Sequence, residues 1–166
     1  LRATINEERT TYRATVHSVE LYAFMTRFGH GAANKRLTDD VLNLPKEQLA
    51  AFMDGYLGAD GHLEKDTGVQ RVTSVSRELT MGIAAAVAKV YRQPCTWLER
   101  RWQNCTIEGR RVHTNTAYDI AFRKEERRQQ HFIADGDWLW VPFRKAERGG
   151  PAVVYNISVE EDESYT

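Results

Sequence analysis

One carboxylate is set apart by its position: Asp60 follows a helical segment and directly precedes a glycine. The segment before it carries large apolar side chains at helical spacing, namely Leu49, Phe52, Met53, Tyr56 and Leu57. The carbonyl end of a helix carries partial negative charge, which disfavours a carboxylate there. We therefore interpret Asp60 as a ligand for a divalent cation, with Gly61 ending the helix.

A second stripe on the same helix has almost no side-chain volume. Its members are Ala51, Gly55, Gly58 and Ala59. A glycine inside a helix costs about 0.5–1 kcal/mol relative to alanine, so two of them indicate a packing requirement. We predict that a second helix packs on this stripe with the two backbones close together.

Two other interpretations of this segment were weighed against a metal site. An EF-hand calcium loop does not fit, because it would need ligands at Tyr56 and Gly58 and an acid at Thr67. A buried amphipathic helix that ends in an Asp-Gly turn is the interpretation without function.

The composition is that of an ordinary domain. The 166 residues include 23 Lys and Arg and 23 Asp and Glu, so the net charge gives no indication of nucleic-acid binding. The charge is uneven, however, with acids at residues 160–163 and dense basic residues between 92 and 145. No apolar run reaches the length of a membrane span and no signal peptide is visible, so we expect a cytoplasmic protein without membrane partners.

Hydrophobic periodicity predicts the order helix, two strands, helix, two strands, helix between residues 45 and 133. A strand and a helix precede this unit, at residues 10–18 and 19–28. Within it we predict a hairpin over 63–76, an apolar helix over 78–91, strands over 96–102 and 117–123, and a charged helix over 124–132. The last strand alternates between a core face at Thr116, Tyr118, Ile120 and Phe122 and an open face at Asn115, Ala117, Asp119, Ala121 and Arg123.

Residues 52–61, FMDGYLGADG, resemble the signature helix of the LAGLIDADG homing endonucleases. Residues 28–52 resemble the stretch between repeats in members encoded by inteins. The resemblance implies an α+β fold of αββαββα repeats, whose antiparallel sheet forms a saddle over DNA. It also implies that two signature helices pack side by side and that the last acid of each, here Asp60, binds the metal. The earlier acid of the family motif falls on Gly58, where this chain departs.

The resemblance divides the chain into three parts. Residues 1–43 look like the tail of a preceding repeat, residues 44–134 like one repeat with its signature helix, and residues 135–166 like the C-terminal strands of a Hint splicing domain. That domain's aspartate and histidine fall on Asn156 and Glu163, and the terminal His-Asn pair is absent. We therefore expect the C-terminal part of a larger intein that does not splice by itself.

The activity implied is site-specific hydrolysis of both strands of DNA, with Mg²⁺ held by Asp60. Family members use a lysine near the end of a late strand, for which Lys124 is the candidate catalytic residue and Arg123 the alternative. The open sheet face would contact DNA through Arg71, Arg101, Asn115, Asp119 and Arg123 as base readers, with Arg110 and Arg111 on phosphates.

Two alternatives stay open at this point. The chain could be a catalytically inactive LAGLIDADG-type DNA-binding module or a degenerate intein domain. It could also be a single-motif endonuclease that forms a homodimer through the stripe of Ala51 and Gly55. In the first interpretation the partner of the signature helix is a second repeat from the same intein; in the homodimer it is a second copy of the chain.

Overall fold

The computed structural model describes residues 2–101, 105–107, 109–112, 115–124, 131–142, 145, 148–151 and 153. A 3-10 turn at Ala32–Asn34 lies between the first two helices. The remaining elements are, in chain order, β1 (Ala3–Glu7), β2 (Tyr12–Val16), α1 (Val19–Thr26), α2 (Asp39–Leu42), α3 (Lys46–Asp60), β3 (Gly61–Glu64), β4 (Val69–Ser74), α4 (Arg77–Tyr91), β5 (Thr96–Arg100), β6 (Cys105–Ile107), β7 (Arg110–Val112), β8 (Ala117–Arg123), β9 (Ile133–Asp135) and β10 (Trp138–Trp140).

A four-stranded antiparallel sheet in the order β3-β4-β8-β5 forms the centre of the described structure. Helices α3 and α4 pack against one of its faces. The sheet contributes Val72, Ile120 and Phe122 to the core, and these side chains are nearly inaccessible to solvent. Both β-strand pairs therefore carry apolar side chains towards the helices, which leaves the other face for polar residues.

Helix α3 buries one side through Leu49, Met53 and Leu57, which are spaced four residues apart. This spacing places them on one stripe of the helix, where they meet the apolar residues of α4. The buried members of α4 are Leu79, Thr80, Ile83, Ala86, Val87 and Val90. The two helices and the inner sheet face thus form one continuous core.

The segment before α3 is fixed to α4 by specific contacts. Ser76 caps α4 by accepting a hydrogen bond from the Leu79 amide at 3.1 Å, and its hydroxyl donates to the Lys35 carbonyl at 2.5 Å. Lys89 Nζ donates to the Leu42 carbonyl at 2.9 Å. The chain between residues 35 and 44 is therefore packed on the central unit and positions the start of α3.

The structure confirms an α+β class with antiparallel sheets, and the order α3-β3-β4-α4-β5-β8 follows the predicted order of elements. Two hairpins differ from the prediction. The single strand predicted over residues 10–18 pairs with a further strand as β1-β2, and a turn predicted between the last two central strands contains β6-β7. Most of the charged helix predicted over 124–132 lies outside the described residues. Of the predicted C-terminal strands, the described part contains β10, which pairs with β9.

No helix in the described ranges is long and apolar enough to cross a membrane. Several large apolar side chains of the first two strands and α1 are exposed, among them Ile5, Tyr12, Val19, Tyr22 and Met25. This part of the chain has no buried residue in β1, β2 or α1. Its apolar surface is therefore uncovered by the described remainder of the chain.

Gly61 is required by close packing against the last turn of α3. Its φ is −85°, so the backbone needs no left-handed conformation, but a Cβ at this position would lie 2.5 Å from the Leu57 carbonyl oxygen. A Cβ at Gly58, by contrast, would meet nothing within 4 Å. Contacts within the described structure therefore exclude a side chain at Gly61 but not at Gly58.

Replacing these two glycines by alanine is expected to change stability in opposite directions. Gly61→Ala should lower the free energy of unfolding by about 1–3 kcal/mol because of overlap with the Leu57 backbone. Gly58→Ala should raise it by about 0.5–1 kcal/mol because alanine loses less backbone entropy in a helix. Urea unfolding of the two variants, followed by circular dichroism, measures both changes, and equal effects would contradict the packing described for Gly61.

Candidate active site and nucleic-acid interface

Asp60 is the last residue of α3 and its side chain is exposed. Within the described part of the chain its carboxylate has no hydrogen-bond or ion-pair partner. The Gly61 amide donates to the Leu57 carbonyl and so fixes the backbone at the helix end. Burial raises the pKa of Tyr56, and the negative charge of Asp60 acts in the same direction. The carboxylate therefore lies near the Tyr56 ring at the negative end of the helix.

Asp60 offers one carboxylate of the kind that binds magnesium, and the described residues place no group of metal ligands beside it. Among the described residues, no three His, Cys, Asp or Glu side chains come together as a metal-binding group. Mg²⁺ is usually bound by one or two carboxylates together with water and substrate phosphates. A magnesium site at Asp60 would therefore need ligands from outside the described residues.

The small-residue stripe of α3 lies on the side of the helix that faces away from the core. Ala51, Gly55, Gly58 and Ala59 are all exposed. A Cβ at Gly55 or Gly58 would meet no atom of the described residues within 4 Å. The predicted second helix is therefore not supplied by the described part of this chain, and the stripe (hereafter the bare face) is open.

The sheet face opposite the helices is polar. The strand register places Arg71, Asp119 and Arg123 on this face, as predicted, and it also places Thr73 and Arg100 there. Arg100 was not among the predicted DNA contacts. We refer to these five residues as the polar sheet face. Arg71 and Thr73 lie on β4, Asp119 and Arg123 on β8, and Arg100 on β5. The polar residues therefore span three neighbouring strands.

Arg71 and Arg123 are both held at the β3-β4 end of the polar sheet face. The Arg71 Nε donates to Glu64, whose other oxygen accepts from the Thr67 hydroxyl at 2.8 Å. These hydrogen bonds lower the pKa of Glu64, with the arginine as the largest cause. The Arg123 Nε donates to the Thr67 carbonyl at 3.2 Å. Both arginines are therefore oriented by neighbouring groups before any ligand binds.

Asp119 has a different role from the one that we predicted. Its side chain lies on the predicted face but is almost fully buried, with 5% of the residue exposed. One carboxylate oxygen accepts from the Thr73 hydroxyl at 2.6 Å and the other forms an ion pair with Arg100. Because the carboxylate is buried between Thr73 and Arg100, Asp119 is not accessible to a cytosine.

Four other predicted DNA contacts lie outside the polar sheet face. Arg101 follows the end of β5 and its Nε donates to Glu99 at 2.7 Å. Asn115 is exposed but precedes β8 instead of forming part of it. Arg110 and Arg111 lie in β7, and their side chains are outside the described residues. Their proposed contacts with DNA stay predictions.

Arg100 could have been found from the alternation of β5. Trp97 stacks on Tyr118 at a centroid distance of 5.4 Å, on the side of the sheet that faces the helices. Residues that differ from Trp97 by an odd number therefore point to the opposite face, which selects Arg100 and not Arg101. Trp97 was therefore the feature of the sequence that could have indicated the face on which Arg100 lies.

Lys124 contacts Asp54 of α3. Its ammonium group donates to Asp54 Oδ1 at 2.6 Å and lies 5.5 Å from the centroid of the Tyr91 ring. This hydrogen bond raises the pKa of Lys124 and lowers that of Asp54. Asp54 precedes Asp60 by six residues, or about 9 Å along the helix axis. In the free chain Lys124 is therefore directed to the side of α3, and its catalytic role stays a prediction.

No protein-family model matches this chain. It is similar to an iron-sulfur cluster assembly SufBD family protein of Mycobacterium tuberculosis, with 28% identity over 165 residues. The match covers 97% of this chain and 20% of that protein, so the chain spans about a fifth of the length of this curated relative.

Shorter parts of the chain match an RNA polymerase subunit and a DNA polymerase. The DNA-directed RNA polymerase subunit Rpo1C of Methanocaldococcus jannaschii is 35% identical over 74 residues, which are 45% of this chain and 9% of the subunit. A DNA polymerase of a Thermococcus species is 40% identical over 63 residues, which are 36% of this chain and 4% of the polymerase.

Proposed function

We propose that this chain is the DNA-cleaving part of an intein, with a LAGLIDADG endonuclease fold and a metal held by Asp60. The observation that carries the proposal is the end of α3, where a carboxylate without a partner among the described residues adjoins an open, bare helix face. A lone carboxylate at the negative end of a helix is unfavourable unless a cation binds there. The bare face supplies the means to bring a second acid close to the first.

The polar sheet face supports a DNA-binding role for the same unit. The saddle of a LAGLIDADG endonuclease would lie along the major groove, where side chains on a sheet can reach base edges. Arg71, Arg100 and Arg123 lie on one face of this sheet, away from the apolar core. Nearby carboxylate or carbonyl groups engage the Nε atom of all three.

The pattern of matches also favours an inserted element. Nearly all of this chain is similar to a fifth of one protein, and parts of it are similar to 9% and 4% of two others. The three proteins are named as an iron-sulfur cluster assembly family protein, an RNA polymerase subunit and a DNA polymerase. A mobile element inserted in different host proteins would give such matches, because the similarity belongs to the insert and not to the hosts.

In the proposed mechanism the residues of this chain position two things, the cation and the DNA. Asp60 is held in place by the helix end and by the Gly61–Leu57 hydrogen bond. Mg²⁺ bound there would supply charge stabilisation at the scissile phosphate and an activated water. The bare face allows a close helix contact, which would set the distance between the two acids across the minor groove. The polar sheet face would fix the register of the DNA.

A cleavage assay tests this proposal with the protein expressed from its complete gene. The substrate is the host gene with the proposed insert removed, supplied as linear duplex DNA. We expect one double-strand cut in Mg²⁺ and none in the presence of EDTA. Intact DNA in Mg²⁺, together with sequence-selective binding to the same fragment, would favour the inactive DNA-binding module. Neither cleavage nor binding would contradict the proposal.

A homodimeric endonuclease is the second candidate, favoured by the open bare face of α3. It differs in the origin of the second acid, which would be Asp60 of another copy.

A role in iron-sulfur assembly follows only from the name of the first relative. Burial raises the pKa of the Cys95 thiol to about 12.

A further inference from the structure

The side chain of Arg100 is divided between a buried inner edge and an exposed outer end. Its Nε atom is buried and forms an ion pair with Asp119 Oδ2 that lacks the geometry of a hydrogen bond, and 41% of the side-chain surface is exposed. The two terminal nitrogens make no hydrogen bond to the described residues. Since the inner edge is covered, the exposed surface belongs to the rest of the side chain, which includes the end of the guanidinium group.

Asp119 is held from both sides by neighbouring strands. On β4 the Thr73 hydroxyl donates to its Oδ1 at 2.6 Å, and on β5 Arg100 pairs with its Oδ2. The carboxylate is 7% exposed, so water contributes little to its environment. A buried carboxylate is costly without partners, which favours keeping Arg100 in this position. Three strands of the sheet therefore determine where this arginine points.

A related arrangement, with a hydrogen bond at Nε and a more exposed carboxylate, occurs at Arg71 on the polar sheet face. Arg71 is bound through its Nε by Glu64, and Glu64 is held by a threonine hydroxyl, that of Thr67. Ideal strand geometry puts Arg71 and Arg100 four residues and two strands apart, or about 16 Å. Two arginines with their Nε atoms engaged thus lie within the reach of one DNA major groove.

From these contacts we propose that Arg100 reads a guanine in the major groove and that Asp119 is its positioning residue. This inference rests on the proposed function as a DNA-binding protein. An arginine held through Nε presents its two terminal nitrogens as parallel donors. Guanine is the base that offers two acceptors, O6 and N7, on its major-groove edge, and this bidentate pair is a common specific contact. Asp119 restricts the side-chain rotamers of Arg100 before DNA arrives.

The pairing with Asp119 also favours a base contact over a phosphate contact for Arg100. An arginine without a carboxylate partner would attract any phosphate and add to binding without sequence preference. The neighbouring negative charge offsets that attraction, whereas the direction of the two donors is unaffected. The effect of Arg100 should therefore appear at one base pair of the target and not as a uniform loss of affinity.

The test is a binding selection with the protein expressed from its complete gene. The probe is a library of random 30-base-pair duplexes, selected in EDTA so that no DNA is cut. Wild type should select a G·C pair at one position, and Arg100→Gln should lose that preference by about tenfold or more. Asp119→Asn should relax the preference at the same position, because the amide no longer pairs with the guanidinium. Arg13→Gln, which removes an exposed arginine of β2 that is ion-paired with Glu8, is the matched control and should leave the profile unchanged.

Arg100→Lys keeps the charge next to Asp119 but lacks the parallel donors, so it should fold normally and still lose the guanine preference. Such a loss shared by Arg100→Lys, Arg100→Gln and Asp119→Asn would support the inference even if Asp119→Asn is less stable. A profile that keeps its G·C position in both Arg100 variants would overturn it and leave the DNA-binding function intact. A wild-type protein that binds DNA without sequence preference would also overturn the inference and leave the DNA-binding function intact. No DNA binding by the wild type would overturn both proposals.

Discussion

Replacing Asp60 by asparagine is expected to abolish DNA cleavage while sequence-selective binding persists. Asparagine keeps the shape of the side chain but removes the negative charge that would hold the cation at the end of α3. A metal contributes several kcal/mol to such a reaction, so we expect the cleavage rate to fall by about a thousandfold or more. The measurement is the single-turnover rate on the uninterrupted host gene in Mg²⁺.

Asp66→Asn is the matched control for this experiment. Asp66 is also an exposed aspartate, but it lies in the turn between β3 and β4 and away from the end of α3. We expect this variant to cleave at the wild-type rate. Cleavage by Asp60→Asn at a rate close to wild type would remove Asp60 from the mechanism and contradict the proposed metal site.

Replacing Gly55 by leucine is expected to separate the fold of this chain from its association with a second signature helix. The new side chain meets no described atom within 4 Å at its Cβ, so the free energy of unfolding should not fall and should rise by about 0.5–1 kcal/mol, because leucine is favoured over glycine inside a helix. In a close helix contact the same side chain would be overpacked by about 1–3 kcal/mol, which corresponds to a loss in association of about 5- to 150-fold. Cleavage should fall with it, since the two acids would be moved apart.

Sedimentation velocity and cleavage rates, measured together, distinguish the possible partners. For a homodimer, Gly55→Leu should shift the equilibrium towards the monomer. For a contact within one chain, the mass should stay the same while cleavage is lost. Lys65→Leu adds an exposed leucine in the β3-β4 turn and serves as the control. Wild-type cleavage by Gly55→Leu would contradict a close contact at the bare face.

The central unit could be predicted because its signals are local. In α3 the residues Leu49, Met53 and Leu57 recur every four positions, and the structure buries all three. The predicted start of β8 at residue 117 and its end at residue 123 agree with the strand Ala117–Arg123. Ile120 and Phe122 are buried as the alternation indicated. A helix with one buried face and a strand with one buried face both require apolar residues at regular spacing, which is visible in the sequence.

The remaining features depend on contacts between distant residues. The partners of Asp119 are Thr73, 46 residues earlier, and Arg100, on another strand, and no local pattern joins the three. Lys124 likewise pairs with Asp54 across 70 residues. The β6-β7 hairpin has strands of three residues each, which are too short to show an alternation. These features become visible only when the strand register is known.

The position of a bound cation tests the proposed metal site at Asp60. Crystals of the protein from its complete gene, grown with its DNA target and Mn²⁺, would locate the metal by anomalous scattering. We predict a peak at the end of α3, in contact with the Asp60 carboxylate and a DNA phosphate, with a second helix on the bare face. A metal bound elsewhere, with Asp60 directed away from the DNA, would contradict it.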